Sequence, residues 1–287
     1  MPLAIQGFHD ATTGTVSYVV HDPVTRRAAV VDPVLDFEAA SGRTSTHSAD
    51  ALLACLREQG LSLQWILETH VHADHLSAAP HLKRQAGGQI AIGEHIREVQ
   101  AGFGRLYNLQ VVDDGFDRLL RDSETLHIGG IEVTALLVPG HTPADLAYAI
   151  EDAVFVGDTL FMPDLGSARA DFPGGDAAQL YRSMQRLLAL PAETRIFVCH
   201  DYPQGREARW QTTVAEQRAT NIHVRDGISE AEFVAMRQAR DATLGVPALM
   251  LAALQVNIRA GQLPPAEDNG VSYLRIPVNA LPSARGR

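Results

Sequence analysis

The feature that most restricts this chain is a dense run of metal-ligand side chains. Thr69-His70-Val71-His72-Ala73-Asp74-His75 follows directly on the apolar stretch Leu63-Gln-Trp-Ile-Leu-Glu68. In an extended segment, residues two apart point the same way, so His70 and His72 can present their rings to one point. The turn that follows can bring Asp74 and His75 to an adjacent point. Imidazole and carboxylate are ligands that divalent transition metals prefer.

Three later segments repeat the pattern. Val138-Pro-Gly-His141-Thr-Pro143, Phe155-Val-Gly-Asp158-Thr159 and Val198-Cys-His200-Asp-Tyr202 each place a His or Asp just past a short apolar strand. Taken singly, such a residue is an ordinary turn or cap residue. Taken together they predict strand C-terminal ends converging on one edge, where ligands gather. Five of the 12 histidines fall in these segments, whereas His9, His21, His47, His81, His95, His127 and His223 lack that context and are expected at the surface or in the core. Cys199 is expected to be a small core residue, because a reactive thiol needs an exposed, electropositive setting. There is no Gly-x-Ser-x-Gly elbow, P-loop or Rossmann fingerprint.

Composition narrows the classes further. A chain of 287 residues, 46% hydrophobic and 20% charged, reads as a globular domain with or without an appendage. Its 24 basic against 34 acidic residues, a net charge of -10, speak against a nucleic-acid partner. No apolar run approaches the roughly 18 residues of a membrane span, so no membrane partner is expected. The first ten residues carry neither the basic nor the apolar region of a signal peptide, and two cysteines cannot form a disulfide framework. A cytoplasmic location is the expectation.

Strands and helices alternate along the chain. The spacing predicts a hairpin from 15–20 and 27–31, and a helix capped by Ser48 and ended by Gly60. A second helix is predicted with Ser77 as cap, Pro80 in its first turn and Gly87 past its end. Strands are predicted over 63–68, 131–138, 146–150, 154–156 and 195–198, with a helix over 180–190. After about Pro203 the predictions are helices over 207–220 and 229–243, the second with a Ser229/Glu232 capping box, then an extended Pro-rich tail over 261–287. This gives a mixed α/β catalytic domain over residues 1–205 and a mostly helical C-terminal extension over 206–287, packed on it.

These motifs together resemble the metallo-β-lactamase fold. The likeness runs through Thr-His-x-His-x-Asp-His at 69–75, Pro-Gly-His-Thr-Pro at 139–143, Gly-Asp-Thr-Leu-Phe at 157–161 and His200. It implies an αββα sandwich with the metal site at one edge between the sheets. Within that superfamily the chain is similar to persulfide dioxygenases, the branch related to glyoxalase II. That likeness is carried by Val31-Asp-Pro-Val34, His70–His75, Arg169-Ala-Asp-Phe172, Cys199-His-Asp-Tyr202 and Gln255-Val-Asn-Ile-Arg-Ala-Gly261. The segments 37–49 and 171–176 resemble the bacterial β-lactamase hydrolase-like subgroup. Compact members show Arg-Thr-Asp-Phe where this chain has Ala170.

The resemblance implies one Fe(II) per chain held by His70, His141 and Asp158, with His72, Asp74, His75 and His200 at a second site or behind the first. The implied reaction is oxidation of glutathione persulfide by O2 to sulfite and glutathione. Arg169 is the candidate anchor for a substrate carboxylate and Tyr202 a candidate hydrogen-bond donor near the metal. A homodimer is the assembly typical of the likeness. Counted without the resemblance, seven candidate ligands suffice for two metals, which leaves open a dinuclear zinc hydrolase of the glyoxalase II or lactonase type, cleaving a thioester or lactone. A non-enzymatic metal- or sulfur-binding module is the third reading.

Overall fold

The computed structural model describes residues 3–109 and 115–280. The chain runs β1 (Ala4–His9), β2 (Val16–His21), β3 (Arg27–Val31), β4 (Val34–Glu38), β5 (Arg43–Ser45), α1 (His47–Glu58), β6 (Ser62–Leu67), β7 (Leu76–Ser77) and α2 (Ala79–Ala86). There follow β8 (Gln89–Gly93), α3 (Ile96–Tyr107), β9 (Arg118–Leu120), β10 (Thr125–Ile128), β11 (Ile131–Leu137), β12 (Leu146–Ile150) and β13 (Ala153–Phe155). The last elements are α4 (Ala177–Leu188), β14 (Arg195–Phe197), β15 (Gln211–Thr213), α5 (Val214–Thr220), α6 (Glu230–Asp241) and α7 (Met250–Asn257).

Two six-stranded sheets face each other, in the orders β1-β2-β3-β6-β8-β9 and β10-β11-β12-β13-β14-β15. Period-two alternation sorts their side chains into layers. Tyr18, Val20, Ala29 and Val31 point between the sheets to meet Tyr148, Phe155 and Phe197. Val19, Ala28 and Val30 point the other way, onto Leu52, Leu53 and Leu56 of α1 and Leu82 of α2. Val154 and Ile196 on the second sheet likewise meet Leu180 and Met184 of α4 and Phe233 of α6. Burial of each such large side chain is worth about 1.5–3 kcal/mol. The result is the αββα sandwich.

Strand direction places the site. β11 is antiparallel to β12, β12 antiparallel to β13, and β13 parallel to β14, so β11, β13 and β14 all run one way. Their C-terminal ends, which lead to His141, Asp158 and His200, therefore lie on one edge. In the first sheet β3 and β6 are parallel, and bring Asp32 and His70 to the end of their strands together.

The sequence predicts no element at β1, β4, β5, β8, α3, β9 or β10, and the structure differs from it in four further places. Ser48 lies inside the first turn of α1 rather than at its cap, because its N–H and hydroxyl bond the Asp36 carboxylate. Ser77 belongs to β7, its hydroxyl bonded to Glu68, although it also accepts the Ala79 N–H. The helix over 207–220 is real only over α5. Residues 211–213 instead form β15 along β14, and the Arg209 N–H is drawn to Asp201. α7 was not anticipated: it is buried on several faces, by Leu254 against α3 and by Ala253 and Val256 against Leu76, and so carries no amphipathic stripe. The segment 37–49 forms the end of β4, β5 and the first turn of α1, within a small sheet of order β5-β4-β7. Of the tail, 281–287 lie outside the described residues. Among the described residues no helix is long and apolar enough to cross a membrane.

Candidate metal centre

Each predicted strand end delivers its side chain to one buried pocket of polar groups. His70, His72, His75, His141 and His200 are all at most 4% exposed, and Asp158 is 9% exposed. Asp158 arrives through a tight turn: Gly157 has φ 52°, and a Cβ there would lie 2.8 Å from Thr69 Oγ1. Only glycine enters that backbone region freely.

The first group is His70, His141 and Asp158. The Nε2 atoms of His70 and His141 lie 3.8 and 3.6 Å from Asp158 Oδ2. These separations are too long for hydrogen bonds. They are close to the spacing of about 3–3.6 Å expected for donors that each sit about 2.1 Å from one ion. The far nitrogens are anchored. His141 Nδ1 donates to the Arg169 carbonyl at 2.7 Å. His70 Nδ1 donates to Thr69 Oγ1 at 3.0 Å, which in turn donates to Asp32 Oδ2 at 2.9 Å. This network assigns both Nε2 lone pairs to the centre. Burial, reinforced by His72 and His141, holds the His70 pKa well below its ordinary value and keeps the ring neutral.

The second group is Asp74, His75 and His200. Asp74 Oδ2 accepts from Thr15 Oγ1 at 3.2 Å and lies 3.2 Å from His75 Nδ1 and 3.4 Å from His200 Nε2. His200 Nε2 is also 3.3 Å from Asp158 Oδ1, so the two oxygens of Asp158 face different groups. Burial works against ionisation of Asp74, yet His200 and His75 hold its carboxyl well below the usual range.

His72 stands between the groups. Its Nε2 donates to Asp32 Oδ1 at 3.0 Å and lies 3.8 Å from Glu68 Oε2. Burial opposes charge on this ring, but Asp32, Asp74 and Glu68 outweigh it and push the pKa up to about 10. Burial and Asp32 push Glu68 up to about 7.

The donor set fits a transition metal. Among the described residues, His72 Nδ1, His75 Nε2, Asp158 Oδ1 and both nitrogens of His200 are buried with no partner in hydrogen-bonding geometry. Buried polar atoms left without partners are costly unless something else satisfies them. The sets His70/His141/Asp158 and His72/Asp74/His75 each bring three ligand atoms within 4.8 Å of one another.

The remaining predicted residues lie at the rim. Arg169 pairs through the Nε and Nη2 edge of its guanidinium with both Asp171 oxygens at 2.6 and 2.9 Å, donates from Nη1 to the Gly245 carbonyl and stands over the Phe172 ring. Tyr202 is 45% exposed and stacks on His200 at 5.6 Å. Cys199 is buried 3.5 Å from Asp32, and burial together with Asp32 pushes its thiol well above the ordinary value, which disfavours the nucleophilic thiolate. His223 lies away from the centre and accepts from the Ser167 N–H.

Four supporting residues were not singled out from sequence. Asp32 gathers the Thr69 N–H, the Thr69 hydroxyl and His72. Its signal was available, since it too is a carboxylate just after an apolar strand. Glu68 bonds Ser77. Asp145 accepts from the Thr142 N–H and hydroxyl and shapes the turn after His141, with burial pushing its pKa up to about 6. Asn257 donates to the carbonyls of His72 and His75 and accepts from the Ser77 N–H, which clips the ligand loop from the far end of α7.

A sequence profile of the metallo-beta-lactamase superfamily matches residues 11–200. The chain belongs to the metallo-beta-lactamase superfamily. It is 51% identical to a protein of Burkholderia pseudomallei named "Probable metallo-hydrolase", over 97% of this chain and 100% of that relative. It is 50% identical to a beta-lactamase hydrolase-like protein of Xylella fastidiosa over 98% of this chain, and spans 66% of that relative's length. Among solved structures, the crystal structure of ETHE1 from Myxococcus xanthus is similar with a TM-score of 0.74 and 29% identity, covering 90% of this chain and 100% of that one. The sandwich and its edge cluster of His and Asp are thus those of this superfamily, whose members are mostly enzymes.

Proposed function

We propose that the chain is an iron-dependent persulfide dioxygenase that oxidises glutathione persulfide with O2 and water to sulfite and glutathione. His70, His141 and Asp158 are the proposed ligands of one Fe(II), a two-histidine, one-carboxylate set that leaves positions open. Fe(II) bound there supplies electron transfer to O2, which the protein's own side chains cannot provide.

The observation that carries this reading is the contact between the 169–172 segment and His141. That segment bears much of the likeness to persulfide dioxygenases, and here it touches a proposed ligand twice. The Arg169 carbonyl accepts from His141 Nδ1, and Phe172 packs against the imidazole at 5.0 Å, at 83° to its plane. The similarity to ETHE1 along its whole length is compatible with the same reading.

The chain's own groups divide the remaining work. Thr69 and the Arg169 carbonyl fix the rings of His70 and His141, so no reorganisation is needed when a ligand binds. Phe172 and Phe161 line the site with apolar rings and limit water around the reacting sulfur. Arg169 is the proposed anchor for a glutathione carboxylate, in exchange for Asp171, and Tyr202 the proposed donor at the mouth.

A second reading has its own support. The two oxygens of Asp158 face different groups, as a carboxylate shared between two ions would, and the first relative is named as a hydrolase. Two zinc ions and cleavage of a thioester or lactone follow from it. Oxygen consumption with glutathione persulfide decides between them. The proposal expects about one sulfite and one glutathione per O2 consumed; thioester cleavage with no oxygen uptake overturns it. A metal-replete protein inert toward both classes would point to a binding module.

A further inference from the structure

The loop 166–170 is held by the C-terminal part of the chain at four backbone groups. Asn221 Nδ2 donates to the Gly166 carbonyl at 3.1 Å, and the Ser167 N–H donates to His223 Nδ1 at 3.0 Å. Arg237 Nη1 donates to the Ser167 carbonyl at 3.3 Å, and the Ala170 N–H donates to Asp241 Oδ2 at 2.9 Å. Between these anchors lies the Arg169 carbonyl that receives His141 Nδ1. Gly175 packs against both the loop and the His141 backbone, since a Cβ on it would meet the Ala170 carbonyl oxygen at 2.6 Å and that of His141 at 3.0 Å.

The central anchor is a buried ion pair on α6. Arg237 is 1% and Asp241 6% exposed, and Arg237 Nε and Nη2 hold Asp241 Oδ1 at 2.9 and 2.6 Å. Desolvating two charges is seldom repaid beyond what a well-packed apolar pair would give. Stability alone therefore accounts poorly for this pair. What it provides, and an apolar pair could not, is a donor to the Ser167 carbonyl and an acceptor for the Ala170 N–H.

We propose that Asp241, supported by Arg237, is a positioning residue for His141: α6 fixes the 166–170 loop so that the Arg169 carbonyl aims His141 Nε2 at the metal centre. This rests on His141 being a metal ligand, and is independent of which reaction the metal serves. It makes the C-terminal extension part of the site's geometry.

The test uses the full chain with cobalt(II) as probe, reading affinity by competition with a chromophoric chelator and ligand geometry by visible absorption. Asp241→Ala should bind cobalt about 10–100-fold more weakly, the usual penalty for losing an outer partner of a ligand, with displaced absorption bands. Asp241→Asn keeps an acceptor for the Ala170 N–H but not the charge, and should show a smaller loss of about three- to tenfold in the same spectral direction. Leu56→Ala, a core change on α1, should lower the melting temperature with cobalt affinity and spectrum unchanged. Wild-type affinity and spectrum in both Asp241 variants, while His141→Ala loses the metal, would overturn the proposal. So would an equal loss in Leu56→Ala. Should Asp241→Ala not fold, Asp241→Asn alone decides, and a wild-type spectrum in it overturns the proposal. Cobalt binding by His141→Ala at wild-type strength would instead remove the ligand assignment beneath it.

Discussion

The two halves of the candidate centre use the same side-chain types and hold them differently. Around Asp158 Oδ2, the nitrogens of His70 and His141 stand 3.6–3.8 Å off, and their far sides are fixed by neutral groups, the Thr69 hydroxyl and the Arg169 carbonyl. Around Asp74 Oδ2, the Thr15 hydroxyl and His75 Nδ1 close in to 3.2 Å, while His200 Nε2 stands 3.4 Å off without a hydrogen bond, so that half partly satisfies itself. A carboxylate with its own donors has less to gain from an ion than one whose neighbours stand back. The difference teaches that the same ligand types can be held in two ways, one standing back from a shared carboxylate oxygen and one partly closed on its own carboxylate.

The largest expected effect breaks the comparison outright. His141→Ala or Asp158→Ala should abolish metal retention, whereas His200→Ala should leave most of the metal bound, as read by elemental analysis after dialysis. Equal loss from all three would mean the halves are one dinuclear unit.

Removing the carboxylate hub of each half should be unequal in stability. Asp32→Ala strips the partner from a buried His72 and from the Thr69 N–H, and should cost about 3–5 kcal/mol in urea unfolding of the metal-free protein. Asp74, whose side chain is 25% exposed, should cost only about 1–2 kcal/mol as Asp74→Ala. A reversed order would contradict the account of Asp32 as the structural hub.

A subtler pair concerns the outer hydroxyls. Thr69→Val deletes the acceptor behind His70 and should weaken metal binding about 10–100-fold. Thr15→Val deletes the corresponding group behind His75 and should change affinity less than about threefold. Similar losses from both would erase the distinction between the halves.

The smallest effect concerns His223, which is linked to the centre through the Ser167 N–H of the 166–170 loop. Burial, with Arg237 and Arg240 nearby, lowers the His223 pKa to about 4. The unfolded ring, near its ordinary value of about 6.5, binds more protons, so this contribution is present above pH 6.5 and lost as pH falls toward 4. After discounting for partial solvent screening it amounts to about 1–2 kcal/mol. His223→Gln, which keeps an acceptor for the Ser167 N–H, should flatten the acid limb of stability against pH by that amount. An unchanged slope would show that the ring is charged when folded.

Much of the candidate site was legible in the sequence because its candidate ligands follow the strands that carry them. His70, Asp158 and His200 come within three residues of β6, β13 and β14, so an apolar run followed by a ligand residue marks each position. The sandwich followed from the same alternation of strands and helices. What was not legible is which partner a residue reaches across a long sequence distance. Asp32 reaches Thr69 and His72, Asn257 reaches His72 from 185 residues away, and Asp241 reaches Ala170 from 71. No local pattern encodes such bonds. Tertiary partners also overrode local signals, as when Asp36 captured Ser48 and when β14 paired the stretch 211–213 that reads as helix. Arg169 shows the limit most plainly: the motif marked the residue, but its backbone carbonyl rather than its guanidinium meets the ligand.

The most direct measurement is the metal content of protein purified from unsupplemented culture, alongside His200→Ala prepared identically. About one iron per chain in both is the predicted result. Two zinc ions per chain, lost together when His200 is removed, would contradict the assignment of a single redox ion to the Asp158 Oδ2 half.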